Sequence, residues 1–199
     1  MDVDDICVKD QLVNSVGGIW EDQNILLWGG PMPIHPQFAE FYAYRGPEDV
    51  MTDLLGMQHY LFSIKTLWTE SENVAFVRKS DDPNKDLVIF DSADDGHRYF
   101  ACNMLTCEVY WCGDLPSGWY DWHKIGSLKT WMRLFAEAHR LQKEMKDELY
   151  KETKHLFGLL SSYEFSDHAR TAGLQAFHQI TDDDSLAREF AKSINWERE

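Results

Sequence analysis

The chain has no apolar run that approaches the roughly 20 residues needed to cross a bilayer. Its first ten residues, MDVDDICVKD, lack both the basic start and the apolar stretch of a secretion signal. We therefore expect a cytoplasmic protein without a membrane association.

Basic residues are scarce: 19 lysines and arginines stand against 34 acids, which gives a formal net charge of −15 over 199 residues. Such a surface repels phosphates, so we expect neither nucleic acid nor anionic membrane as a partner. A basic protein partner is favoured, because complementary charge accelerates encounter. Solubility alone also explains an acidic surface.

Motifs for metal, cofactor or nucleophile are absent too. The cysteines Cys7, Cys102, Cys107 and Cys112 form no CxxC pair, and in one strand a spacing of five would put neighbouring thiols on opposite faces. We expect reduced, buried thiols and no metal. No G-x-x-x-x-G-K phosphate loop and no G-x-S-x-G motif occurs, so we expect no cofactor and no enzymatic activity.

Along the sequence, helical patterns come first, a run of strand patterns follows, and helical patterns come last. This order predicts an α+β fold. Helices are expected at 1–16, around Phe38–Tyr42 up to Gly46-Pro47, from a Ser127 cap into the 150s, and after caps at Ser166 and Thr181. The stretch 51–68 fits a strand or a helix. Strands are expected at 74–79, 87–90, 98–105 and 108–112, between polar turns.

The stretch FDSADDGHRYFACNMLTCEVYWC, residues 90–112, raises the question of a catalytic site. Asp91, Asp94 and Asp95 could supply an acid–base pair, but aspartate is also common in turns because it caps its own backbone. The alternation that follows favours a β-hairpin, with Arg98, Phe100, Cys102 and Met104 on one face.

A second cluster is aromatic and consists of Trp111, Trp119, Tyr120 and Trp122. These side chains could line a pocket or a partner surface, or form core and rim.

Three segments resemble the SUKH superfamily, the Smi–Knr-like proteins. IHPQFAEFYAYRG is similar to its aromatic-rich helix, LVIFDSADDGHRYFACNMLTCEVYWC to its central strands, and SLKTWMRLFAEA to its closing helix. The likeness covers roughly residues 1–137, which we expect to form a SUKH-like domain. Residues 138–199 would be a helical C-terminal extension packed on or beside it. The chain departs from the family at LTCE, where Gly is frequent, and at His97, where small residues are usual.

This resemblance implies a single α+β domain with a strongly curved, mostly antiparallel sheet flanked by helices. Many bacterial members are immunity proteins that neutralise toxins, often nucleases; others are regulatory or scaffold proteins. The sequence therefore predicts a non-enzymatic immunity protein that binds a basic protein toxin. The acids Asp91, Asp94 and Asp95 would steer the partner, and Trp119, Tyr120 and Trp122 would anchor it.

Two alternatives remain open from the sequence. One is a scaffold or regulatory interaction module of the same fold. The other is a small-ligand-binding or hydrolytic enzyme that uses Asp94, Asp95 and His97.

Overall fold

The structure is a computed structural model, and it describes residues 1–74, 85–93, 98–113, 121–146, 151–154, 161–164 and 166–196. The predicted α+β class is confirmed in these residues. The helices are α1 (Val3–Val16), α2 (Pro36–Ala43), α3 (Leu67–Val74), α4 (Leu128–Glu144), α5 (Asp167–Thr181) and α6 (Asp184–Ser193), with a 3-10 turn at Ile25–Leu27. The strands are β1 (Trp20–Glu21), β2 (Gly46–Pro47), β3 (Val50–Leu54), β4 (Met57–Leu61), β5 (Leu87–Ala93), β6 (Arg98–Asn103), β7 (Glu108–Gly113), β8 (His123–Ser127), β9 (Lys151–Lys154) and β10 (Ser161–Glu164).

The main sheet is an open antiparallel meander in the order β3-β4-β5-β6-β7-β8. Its register shifts between Ile89 and Asp91 in β5, and between Val109 and Tyr110 in β7. Bulges of this kind increase twist and bend the bulged strand. They give a physical basis for the curvature expected of the sheet.

The amphipathic helix α4 covers one face of the sheet. Ser127 caps it as predicted, because its hydroxyl accepts the Thr130 amide at 3.1 Å. Trp131 and Phe135 on its inner face are fully buried and meet Phe100 of β6 at centroid distances of 6.1 and 6.4 Å. This aromatic layer is the centre of the core, and α2 adds Phe38, Phe41 and Tyr42 to it.

Several boundaries differ from the sequence-based ones. The helix α4 ends at Glu144 and not in the 150s; Lys151–Lys154 instead pairs with Ser161–Glu164 in a two-stranded sheet. Within 51–61 the chain forms β3 and β4. Gly46–Pro47 is a short strand beyond the end of α2. Val74, the first residue of the strand expected at 74–79, is instead the last residue of α3. The rest of that expected strand, 75–79, lies outside the described residues.

The last two helices form as expected, but the cap of α6 is different. Ser166 caps α5 by accepting the Ala169 amide. Thr181 lies at the end of α5, and Asp183 caps α6 by accepting the amides of Ser185 and Leu186. An aspartate one residue before the helix is a better N-cap than the threonine, because its carboxylate reaches two free amides.

The C-terminal helices pack on the rest of the fold. Arg98 donates from its guanidinium to the carbonyls of Lys192 and Ser193, at 2.9 and 3.3 Å, which fixes the end of α6 against β6. Trp196 is buried against Phe177 of α5 at a centroid distance of 5.5 Å. Among the described residues no helix combines the length and the apolar character that a membrane span requires.

Candidate functional site

Asp91, the first of the predicted steering acids, lies inside the core. Its Oδ2 is 2.8 Å from Nδ1 of His59, and both side chains are fully buried. We therefore correct its placement: Asp91 lies where the register of β5 shifts, and its side chain is fully buried, so a partner at the surface does not meet its carboxylate.

Most of the other predicted residues lie outside the described residues. These are Asp94, Asp95 and His97 of the polar turn, and Trp119 and Tyr120 of the aromatic loop. Their predicted roles stay predictions.

Trp122 is described, and it leads into a surface where aromatic rings and acids meet. Directly after it, the ring of His123 stacks on Trp111 across the β7–β8 pair, at a centroid distance of 5.4 Å. Carboxylate oxygens of Asp121 and Glu189 lie 3.9 and 3.5 Å from the two ring nitrogens of His123. We call these four residues, Trp111, Asp121, His123 and Glu189, together with Trp122, which precedes His123 in the chain, the β7–β8 surface.

This surface is accessible. The Asp121 side chain is 73% exposed and that of His123 is 42% exposed, while Trp111 and Trp122 are half-buried against the core. In a half-buried aromatic side chain, one part of the ring is held by the core and the other part is exposed. A pocket of a partner can bind the exposed part at low entropic cost, because the ring is already held in place.

The helix α6 holds the surface from one side. Glu189 on this helix accepts a hydrogen bond from the Trp111 indole at 3.4 Å and faces His123. Since Arg98 anchors the end of the same helix, the position of Glu189 depends on the docking of the C-terminal helices. The surface is therefore built from both the sheet and the C-terminal part of the chain.

A third acid, Glu108, lies further along the same strand pair. Glu108 of β7 pairs with Lys124 of β8 and accepts a hydrogen bond from the Tyr110 hydroxyl at 3.1 Å. The contact with Lys124 lowers the pKa of Glu108 and raises the pKa of the lysine. Both groups are charged at neutral pH, and Lys124 offsets part of the local negative charge.

The interior holds several polar atoms without a hydrogen-bond partner. They are the Tyr42 hydroxyl, His59 Nε2, Asp91 Oδ1, the Trp131 indole nitrogen and His139 Nε2. Burial lowers the pKa of His139 to about 3, with the nearby His59 adding to the effect, so its imidazole is neutral. A general base needs access to a substrate, and these groups are buried on every side.

Lys9 of α1 is a buried amine with no hydrogen-bond partner. Its Nζ lies 3.1 Å from the ring centroid of Phe41 and 4.7 Å from that of Trp20. Burial is the main reason that its pKa falls well below the usual value.

Three of the cysteines are buried free thiols, as predicted, and Cys7 is exposed. Cys102 and Cys107 do not face opposite sides, because the turn between β6 and β7 separates them; their sulfurs are 3.8 Å apart. Across the part of the chain that the structure describes, no group of three or more His, Cys, Asp or Glu side chains is arranged to hold a metal ion.

The roles of His59, His123 and Glu189 were not predicted from the sequence. For His59 a signal was present: Met57, His59 and Leu61 alternate with exposed or half-exposed residues, which predicts an inward histidine. Glu189 had no such signal, because its contact with β7 spans 78 residues of sequence.

Comparison with known proteins adds no assignment. No family model matches the chain, and neither the curated proteins nor the solved structures include a match.

Proposed function

We propose that this protein is a non-enzymatic, cytoplasmic immunity protein that binds and neutralises a basic protein toxin, such as a nuclease. The observation that carries the proposal is the β7–β8 surface, in which half-buried aromatic side chains accompany the exposed Asp121 and the half-buried Glu189 on a chain of net charge −15. The SUKH resemblance of residues 1–137 supports the same function.

The surface has the chemistry of a protein-binding hot spot. Tryptophan is among the residues that dominate interface energy, and it does so when it is central and surrounded by a polar rim. Here the two tryptophans would enter the partner, while Asp121 and Glu189 would form the rim.

The negative charge provides selectivity. Long-range attraction steers a cationic partner and raises its association rate, and an acidic inhibitor can occupy the phosphate-binding cleft of a nuclease. In this proposal Asp94 and Asp95 extend the acidic field, and Trp119 and Tyr120 extend the aromatic anchor of Trp122.

Co-expression tests the function. A candidate toxin is chosen as the product of a gene beside the gene for this protein, and cell survival is scored with and without it. Survival with the wild type, and its loss with Asp121→Lys combined with Trp122→Ala, would support the proposal. Glu72→Lys, a charge reversal at an exposed position of α3, is the matched control and should still protect.

Other outcomes point to the alternatives. A tagged protein that captures many weak partners, none toxic, would favour a scaffold or regulatory module. A turnover abolished by Asp95→Ala would favour the enzyme that uses Asp94, Asp95 and His97.

A further inference from the structure

Cys102 and Cys107 form a close thiol pair at the turn between β6 and β7. Their sulfurs are 3.8 Å apart, and the Cys102 thiol is oriented as a donor towards Cys107. Cys107 directly precedes β7 and has a left-handed backbone, φ 56°, and its side chain lies beside Cys102. In a disulfide the sulfurs are about 2.05 Å apart, so side-chain rotation has only about 2 Å to close.

The two thiols have unequal environments. Cys107 accepts a hydrogen bond from Cys102 and another from the backbone amide of Phe38 in the first turn of α2, and the first of these is the main reason that its pKa is lowered. Burial raises the pKa of Cys102 well above the usual value. Cys107 is thus the better nucleophile, and Cys102 keeps a proton.

We propose that Cys102 and Cys107 are a redox-active pair that a hydroperoxide converts to an intramolecular disulfide. The Cys107 thiolate attacks the terminal peroxide oxygen, the O–O bond breaks, and Cys107 becomes a sulfenic acid. The leaving group is an alkoxide, or hydroxide from hydrogen peroxide, and it takes up the proton that the Cys107 thiol had lost. The sulfur of Cys102 then attacks the sulfenic sulfur; an S–S bond forms, and the proton of Cys102 leaves with the hydroxyl as water. In sum two thiols and one hydroperoxide yield a disulfide, one water and one alcohol, or a second water from hydrogen peroxide.

Access to the pair requires opening of the turn. Both thiols are buried, whereas Leu105 between them is 70% exposed. Oxidation should therefore be slower than that of exposed Cys7, and the disulfide, once closed, should resist external reductants until the turn opens. The disulfide would restrain the start of β7, the strand that carries Trp111.

The test uses the full chain with Cys7→Ser, so that exposed thiols cannot link two molecules. Reduced protein is treated with hydrogen peroxide, denatured, alkylated and mapped by mass spectrometry. We expect Cys102 and Cys107 to lose alkylation together, to be recovered as one linked peptide pair, and to regain both alkylation sites after dithiothreitol. Cys112→Ser in the same background is the control and should leave this result unchanged.

Three results would overturn the proposal. They are alkylation of both cysteines that persists when peroxide treatment continues long after Cys7 of the wild type is fully oxidised, a disulfide that involves Cys112, and sulfinic acid at Cys107 without any disulfide. The mapping is done on protein that retains both cysteines, so it does not depend on whether variants of the pair fold.

Discussion

Nδ1 of His59 and Oδ2 of Asp91 lie 2.8 Å apart in a part of the core that has no exposed side-chain surface. The pair joins β4 to β5 under α4, where the ring of Phe135 lies 5.0 Å from the imidazole. This contact gives Asp91 a structural role in the core.

Removal of either His59 or Asp91 should destabilise the fold, because it leaves the other polar group buried without its partner. We expect Asp91→Ala to lower the free energy of unfolding by about 3–5 kcal/mol. The double variant His59→Leu with Asp91→Leu should be much closer to the wild type, since no buried polar group is then left unpaired. Urea unfolding of the single and double variants measures both values. A double variant that is less stable than Asp91→Ala would contradict the pairing.

His139 should make the protein sensitive to acid. The pKa of His139 is about 3 in the folded protein, whereas the ordinary value, which applies to the unfolded chain, is 6.5. Between pH 3 and pH 6.5 the unfolded chain therefore binds a proton at this residue that the folded protein does not bind. The free energy of unfolding should therefore fall as pH drops from about 6.5, by roughly 1.4 kcal/mol per pH unit from this residue.

The matched variant is His139→Leu, which has no proton to take up. Unfolding curves at pH 7, 6, 5 and 4 should show a shallower pH dependence for the variant than for the wild type, with the difference greatest at low pH. Parallel curves would show that His139 is not the source of the sensitivity.

Replacement of Lys9 by an apolar residue should increase the stability of the protein. Its Nζ atom is fully buried over the Phe41 ring without a hydrogen-bond partner. We expect Lys9→Met to raise the free energy of unfolding by about 1–3 kcal/mol at neutral pH, because methionine fills the same space without burying an unsatisfied polar group. The gain should shrink towards pH 10.5, since the lowered pKa stabilises the folded wild type at higher pH. Thermal unfolding at several pH values measures both effects, and a variant less stable than the wild type would show that the ring contacts outweigh burial.

Gly173 should be essential for docking of the C-terminal helices. A Cβ at this position would lie 2.1 Å from the Trp196 indole nitrogen, well inside contact distance. Gly173→Ala should therefore lower the melting temperature, although alanine favours a helix over glycine by about 1 kcal/mol. Gly29→Ala, where a Cβ meets nothing within 4 Å, is the control. Increased stability of Gly173→Ala would contradict the packing of Trp196.

The sequence predicted much of the fold because its signals were local. The Ser127 cap, the alternation of 98–103 and the Ser166 cap each depend on neighbouring residues. The end of α4 was missed because its helical pattern continues past Glu144, and no proline or glycine stops it between 145 and 150. The cap of α6 was missed because Thr181 and Asp183 both have side chains that can cap.

The candidate site was harder to predict, because it depends on contacts distant in sequence. The acidity of Asp91 suggested a surface role, but a bulge in β5 and a histidine 32 residues away place it inside. Conversely, His123 and Glu189 gain their role only when α6 packs against β7 and β8. The pattern of apolar and polar residues along the sequence predicts neither the bulge in β5 nor the packing of α6.

The central proposal is tested most directly by a binding measurement. It compares the affinity of the wild type and of variants of the β7–β8 surface for the toxin found in the co-expression experiment. At moderate salt, Trp122→Ala should weaken binding by about 30-fold or more, which corresponds to a hot-spot loss of about 2 kcal/mol. Asp121→Lys should weaken it chiefly through a slower association rate, and less so at high salt. Glu72→Lys should leave both rates close to those of the wild type, and a melting temperature for each variant confirms that it is folded. Unchanged affinity in Trp122→Ala and Asp121→Lys would contradict the account and move the partner surface elsewhere on the protein.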